Sequence, residues 1–459
     1  MEKFFFWSSY LPAILFPFGA LFIGLRNPSI FQISEITNNA VILFVFFGAL
    51  IIIAIIYKHL GQMERLSGCI LLACFVSAYF VLAITLNTSE INSNNIYFAS
   101  DSWSWFLRMA EESGWSVGTR AIHPYPYLIF RPIVALLSSV TIDNRFYSLL
   151  FLISLTGGAC VVLAKNILEE ITNHQVFSIL FASLLGISSC HLIFASIVES
   201  YIFSTFFLLF FLWLTLKNKP NFILVLTGLF TFGITFTNIA QQGLMNLLIK
   251  KDFKHTIIIF SIIVIFGILF NFLSELIYPV TELLTQPESF TVEKRFVQEV
   301  SFKRIGLMIE NLFLYNVIAP EPYMSIRNDM PRFGFLNGSI FQFTWIGNIA
   351  VVIWEVLLVI AVIYFFQNFS KKEKVFFVSL SLIACIFFNF ALQVGYGPEI
   401  FLYTAGWTYA VILFVAINLR YLFKKKWAQW SIFIFVTMSL INNLWFLYLI
   451  ARKVGEYLI

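Results

Sequence analysis

Apolar runs long enough to cross a bilayer recur along the whole of this chain, and that pattern decides most of what it can fold into. In hydrocarbon every backbone N–H and C=O needs an internal partner, so a spanning segment is a helix or a strand of a closed barrel. The runs here are continuous rather than alternating, which selects helices. Composition agrees: 60% of the 459 residues are hydrophobic, 19% aromatic and only 12% charged. Soluble domains are about a quarter charged. The reading is an all-α polytopic membrane protein with about 11–13 transmembrane helices and no soluble domain.

Cys69, Cys74, Cys160, Cys190 and Cys385 lie in or beside apolar runs and form no CxxC pair, so neither a zinc site nor a disulfide framework is indicated. The opening MEKFFFWSSYLPAILFPFGALFIGL is shaped like a signal peptide, but its apolar run is long and lacks a clear small-residue cleavage site. It is read as a retained first helix.

Candidate spans fall at about 4–24, 40–57, 67–86, 146–166, 175–194, 199–216, 221–237, 239–250, 255–278, 346–367, 375–394, 398–419 and 428–450. The eighth is short and reads as a half-helix. Basic clusters occupy alternate connections: Lys58 and Arg65; Lys217 and Lys219; Lys250, Lys251 and Lys254; Lys371, Lys372 and Lys374; Arg420 with Lys424, Lys425 and Lys426. The positive-inside rule puts these in the cytoplasm, together with the N-terminus. The remaining loops then face outward and hold most of the acids, among them Asp101, Glu111, Glu112, Asp143, Glu288, Glu321, Asp329 and Glu399.

Two outward segments, about 87–145 and 279–345, are too long for simple connectors, and structureless loops of that length are usually functional. They divide the chain into an N-terminal transmembrane module (1–278, with loop 87–145) and a C-terminal part (279–459, loop 279–345 plus helices). No internal repeat or low-complexity segment is present. In the first loop, DSWSWFLRMAEES has helical spacing, with Trp105, Met109 and Phe106 toward one side, which predicts an amphipathic helix at the interface. HPYPYLIFRP reads as an extended, proline-stiffened return into the membrane. The second loop mixes Lys294, Arg295, Lys303, Arg304, Arg327 and Arg332 with similar numbers of acids.

Several residues suit chemistry at a membrane surface. Asp101 is placed to take a proton from a hydroxyl, or to cap the helix that follows it. Glu111 and Glu112 read as solvated helix-end charges. Arg131 has the fork of donors that suits phosphate oxygens, or it snorkels to a headgroup. His123 can relay a proton. Glu199 and Tyr201 sit at the turn between the fifth and sixth predicted spans. Glu355 lies deep in IAVVIWEVLLVIAV and reads as an internal helix–helix bonding residue. Asn238, Gln241 and Gln242, in TNIAQQG, line a polar cavity, receive a lipid phosphate or bond helices together. In GYGPEIFLY, Pro398 starts a helix and Glu399 complements its dipole or serves a site.

Taken together, these features resemble the GT-C glycosyltransferases, polytopic enzymes that use polyprenyl-phosphate-linked sugars. The likeness is nearest to the protein O-mannosyltransferase-like branch. Asp101, in FASDSWSWF, occupies the place of the catalytic acid that opens the first outward loop. HPYPYLIFRP resembles that branch's His-Pro-Pro-Gly-Tyr-Pro-like segment but lacks the Gly, and Glu199-Ser200-Tyr201 matches its Glu-x-Tyr element. The likeness covers about residues 67–250. Two departures are an extra hairpin before the third predicted span and the missing second acid beside Asp101.

The resemblance implies a GT-C-like bundle with interfacial helices in its outward loops, in the bacterial cytoplasmic membrane. It implies a transferase with Asp101 as general base and inversion at the anomeric carbon. Donor or phosphate contacts would come from His123, Arg131, Glu199, Tyr201, Asn238, Gln241 and Glu399. The donor would be a polyprenyl-phosphate sugar among membrane lipids, and the acceptor a glycan, lipid or protein. No nucleic acid is implied, and no cofactor beyond a divalent cation at the phosphate. The same spans and arginine-bearing loop also suit a polymerase or ligase of lipid-linked glycans. A transporter or flippase would use mid-membrane ionisable groups and broken helices, for which only Glu355 and TNIAQQG qualify.

Overall fold

A computed structural model describes residues 6–31, 63–111, 117–140, 144–327, 330–335, 342–368 and 373–457. Its helices are, in chain order, α1 (Leu11–Leu25), α2 (Met63–Leu86), α3 (Ser89–Asn94), α4 (Ser102–Met109), α5 (Pro126–Val140), α6 (Arg145–Thr172), α7 (Gln175–Ile187), α8 (Ser189–Phe194), α9 (Tyr201–Leu216), α10 (Asn221–Ile234), α11 (Ile239–Lys250), α12 (Phe253–Ile277), α13 (Phe302–Glu310), α14 (Trp345–Gln367), α15 (Lys374–Gln393), α16 (Ala405–Leu419) and α17 (Lys426–Tyr457). A small antiparallel hairpin, β1 (Tyr323–Arg327) and β2 (Met330–Gly334), pairs Tyr323 with Gly334 and Arg327 with Met330. Eight helices among the described residues are long and apolar enough to cross a membrane, and α5, α7, α9 and α10 are shorter apolar helices. The chain is a multi-pass, helical membrane protein.

Local chemistry explains where the helices begin and end. The Asn144 side chain accepts the N–H of Tyr147 at the start of α6, Asp252 that of His255 in α12, and Thr344 that of Gly347 in α14. Each satisfies a donor that the first helical turn leaves free. Asn173 closes α6 in the left-handed conformation that short polar side chains tolerate.

Packing is built around α6, which lies against α2, α7 and α9, while α1 packs on α2 and α17. In the second half α11 meets α15, α15 meets α16, and α14 covers α16 and α17. Gly157 and Gly158 on α6 face Ala195, Tyr79 and Val76 so closely that a Cβ would overlap them. Small residues of this kind let helices approach without a hydrophobic driving force between them.

The basic connections gather at one end of the bundle. Lys217 pairs with Glu170, Lys250 donates to Asn218, Lys374 donates to the Leu216 carbonyl, and Lys251 covers the Phe377 ring. The two long loops lie at the opposite end.

Several expectations change. The predicted span 40–57 lies outside the described residues, as do Lys58, Glu112, Asp143, Asp329, Lys371 and Lys372. HPYPYLIFRP is not extended: Pro126 opens α5, where a missing N–H costs nothing, and Pro132 lies inside it. The predicted span 175–194 breaks at Ser188, whose backbone turns out of the helical region and whose hydroxyl caps α8. The span expected from 398 begins only at Ala405, after a 3-10 turn at Ile400–Tyr403. Among the described residues Glu355 makes no bond between helices; it is exposed on α14.

Candidate functional site

Asp101 stands where the chain enters α4, and its approach is strained. Phe98 and Ala99 both have left-handed backbones, with φ of 48° and 54°. Non-glycine residues pay for that conformation, and it persists where surrounding structure holds it. Here the hairpin does so: Phe98 N–H donates to the Phe333 carbonyl and Phe333 N–H to that of Ile96, each at 2.8 Å, and the Tyr97 and Phe333 rings stack. Asp101 occupies the N-cap position, yet its side chain makes no capping bond and is exposed. Ser102, Trp105 and Met109 turn the buried face of α4 inward, as the spacing predicts.

Glu199, buried between α8 and α9, holds this turn from beneath. One of its oxygens accepts the Asp101 N–H and the other the Ser200 N–H, both at 2.8 Å. Burial, with the charge of Asp101 second, pushes the Glu199 carboxyl up to about 8. Glu199 and Tyr201 thus adjoin Asp101, and Tyr403 interacts electrostatically with both acids.

The second wall comes from the loop between α4 and α5. Thr119 bridges to Thr281, Ala121 N–H donates to Glu282, and Asn271 donates to the Pro124 carbonyl, so this loop is stitched to the chain after α12. It presents Arg120, whose Nε lies 3.5 Å from Glu293 while its guanidinium covers the Phe296 ring at 4.7 Å. Among the described residues its two terminal nitrogens make no hydrogen bond. Its charge also reaches Asp101, Tyr201 and Tyr396. The Tyr396 hydroxyl donates to Glu293, linking a third loop. That loop pairs with the second: Gly397 N–H donates to the Phe296 carbonyl at 2.8 Å and Gln298 N–H to the Gly395 carbonyl at 2.9 Å.

Arg304, on α13, secures the third loop by donating to the carbonyls of Gln393, Val394, Tyr396 and Gly397. Glu399 follows within this turn. Burial raises its carboxyl, opposed by an N–H bond from Phe401 and by the Arg304 charge.

Other sequence candidates are engaged elsewhere. Arg131 donates to the Glu111 carbonyl at 2.6 Å, with longer contacts to Leu107 and Arg108, and so caps the C-terminal end of α4. His123 is buried: its Nδ1 meets the Ile234 carbonyl at 2.6 Å and its ring stands edge-on to Trp105. Asn238, Gln241, Asn389 and Tyr409 bond to one another around α11, which is the helix-bonding alternative for TNIAQQG. Gln242 donates to Thr231 in the same manner. Among the described residues no group of three or more His, Cys, Asp or Glu side chains is placed to hold a metal ion. A cavity of about 570 Å³ lies between α1, α14 and α17, but none of the residues around Asp101 lines it.

The residues not assigned a role from sequence are Arg120, Glu293, Tyr396, Tyr403 and Arg304. Their only signal was membership of the polar loops, because what unites them is pairing between loops far apart in the chain. No family model and no curated protein matches this chain.

Proposed function

We propose that the chain is a membrane glycosyltransferase. It would move a sugar from a polyprenyl-phosphate carrier to an acceptor hydroxyl, as the GT-C enzymes that its sequence resembles do. Asp101 takes the acceptor proton. The acceptor oxygen bonds to the anomeric carbon as that carbon's bond to the phosphate oxygen breaks. The bonding pair leaves with the phosphate, and the configuration inverts. Arg120, rather than Arg131, meets the charge that develops on the departing phosphate, where a guanidinium fork fits phosphate oxygens. The positive-inside rule places this end of the bundle on the outer face of the cytoplasmic membrane.

One observation carries the reading. The main chain of Asp101 is held by a buried carboxyl, its exposed side chain makes no capping bond, and its charge acts on Arg120, whose terminal nitrogens make no hydrogen bond among the described residues. A base beside an anion site is the pair that sugar transfer from a lipid phosphate requires. The test uses purified protein in vesicles, a panel of polyprenyl-phosphate hexoses and pentoses, and a membrane extract as acceptor. Wild type should consume one donor, and Asp101→Asn should slow it by about 100-fold or more. Undiminished transfer by Asp101→Asn at normal expression would remove Asp101 from the reaction.

A further inference from the structure

A row of aromatic rings joins the two charged ends of the site. Tyr201 meets Tyr403 edge-on at 5.8 Å, Tyr403 lies 6.2 Å from Tyr396, and Tyr396 lies 6.0 Å from Phe296, the ring that the Arg120 guanidinium covers. The row starts beside Glu199, two residues before Tyr201, and ends at Arg120. All four rings are half-buried. Packing alone would bury such rings and give each phenol a partner, because a buried hydroxyl without one is costly. Tyr396 has its partner in Glu293, whereas the hydroxyls of Tyr201 and Tyr403 make no hydrogen bond among the described residues. Tyr403 stands between the other two tyrosines, and the charges of Arg120, Asp101, Glu199 and Glu293 all reach it. Ile400, Phe401 and Leu402, the rest of its 3-10 turn, are buried. Its ring is seated against Gly397, whose φ of 78° favours glycine and where a Cβ would overlap the ring.

We infer that Tyr403 binds the sugar ring of the donor, with its aromatic ring against the sugar's C–H groups and its hydroxyl bonded to a sugar hydroxyl, and with Tyr201 and Tyr396 on either side. The inference rests on the transfer reading proposed above. In that reaction the anomeric carbon lies between the acceptor oxygen at Asp101 and the phosphate oxygen at Arg120. The sugar therefore occupies the space between those two residues, and Tyr403 is within reach of the charge of both. An apolar, aromatic surface with a few placed polar groups suits a ligand whose ring presents C–H groups among hydroxyls. The Tyr403 hydroxyl both donates and accepts, so it supplies selectivity: a sugar lacking the matching hydroxyl leaves it unpaired in a half-buried place.

The experiment is saturation-transfer NMR on full-length protein in lipid nanodiscs, with a panel of methyl hexosides and pentosides that carry a sugar without lipid or phosphate. Wild type should bind at least one of them, and the ring C–H protons of one sugar face should saturate most strongly. Tyr403→Ala should weaken that binding about 10-fold or more. Tyr403→Phe keeps the ring and the fold, and should weaken it about 3- to 10-fold. Deoxy analogues of the best glycoside give a readout that a merely structural role would not move. Wild type should discriminate against one of them by about the same factor, and Tyr403→Phe should not discriminate at all. Binding of no glycoside by wild type, equal binding by Tyr403→Ala, or discrimination by Tyr403→Phe equal to that of wild type would overturn the assignment. Donor transfer by Tyr403→Ala with wild-type kcat and KM would also overturn it while leaving the transfer reaction in place. Tyr403-dependent glycoside binding without transfer from any polyprenyl-phosphate sugar would support the sugar site and remove the reaction.

Discussion

The backbone N–H of Asp101 donates to Oε1 of Glu199 at 2.8 Å, so a buried carboxyl fixes the main chain of a residue 98 positions away. Its other oxygen accepts the Ser200 N–H. Burial and the nearby charge of Asp101 raise the Glu199 carboxyl to about 8, against the pull of those two N–H groups. Glu199→Ala should leave both donors buried and unpaired, at about 1–3 kcal/mol each, and should lower activity by displacing Asp101. Glu199 binds its proton more tightly in the folded chain than its ordinary value of 4.5 allows. Its contribution therefore weakens as pH rises from about 4.5 to about 8 and is level above that. Thermal unfolding in detergent at about pH 5, 7 and 9 should show a smaller decline for Glu199→Gln than for wild type. An offset that does not change with pH would contradict the assignment.

His123 acts in the opposite direction. Burial first, then the charge of Arg120, pushes its imidazole down to about 3, and Nδ1 faces the Ile234 carbonyl. The unfolded chain therefore takes up a proton at this site more readily than the folded one. Its contribution is complete above the ordinary value of 6.5 and is lost as pH falls toward 3. His123→Gln should shift the acid-unfolding midpoint, followed by near-ultraviolet circular dichroism, to lower pH relative to its own stability at neutral pH. An acid limb parallel to that of wild type would show that another group controls it.

These two residues show how far the sequence could be read. The apolar runs announced the helices, because span length is a property of one segment and its solvent. α4 was also legible, since helical spacing alone placed Trp105 and Met109 on its buried side. Glu199 was recognisable as a candidate, but its bond to Asp101 joins two distant segments that no local pattern relates. Arg131 was misleading for the same reason: an arginine at a membrane edge looks free until tertiary structure delivers the carbonyls of α4 to it. Proline misled in HPYPYLIFRP, where the same ring that stiffens an extended chain also starts a helix.

Arg120 and Arg131 should separate cleanly on substitution. Arg131 is committed to carbonyls at the end of α4, so Arg131→Gln should lower stability by about 1–3 kcal/mol and alter activity only in proportion to the folded fraction. The terminal nitrogens of Arg120 make no hydrogen bond among the described residues, so Arg120→Gln should leave the melting temperature within a few degrees of wild type. It should raise the KM for the lipid phosphate donor, with kcat also reduced if the charge acts at the transition state. The measurement is donor-dependent kinetics beside thermal unfolding for both variants. If Arg131→Gln raises KM while Arg120→Gln does not, the phosphate belongs to Arg131.

Arg304 reaches the same site at one remove, through the turn that it holds. One guanidinium supplies donors to four carbonyls between Gln393 and Gly397, and that turn carries Tyr396 to Glu293, the partner of Arg120. A lysine ammonium is a single point of charge on a flexible stem and cannot span the same set. Arg304→Lys should therefore cost about 2 kcal/mol or more and should make the 393–399 turn more susceptible to limited proteolysis. It should also raise the donor KM, because a looser Tyr396 releases Glu293 and with it the orientation of Arg120. Tyr396→Phe breaks that link without disturbing the carbonyls that Arg304 holds. It should reproduce the change in KM while leaving the turn resistant to protease, and unchanged kinetics for Tyr396→Phe would cut Arg304 out of the site.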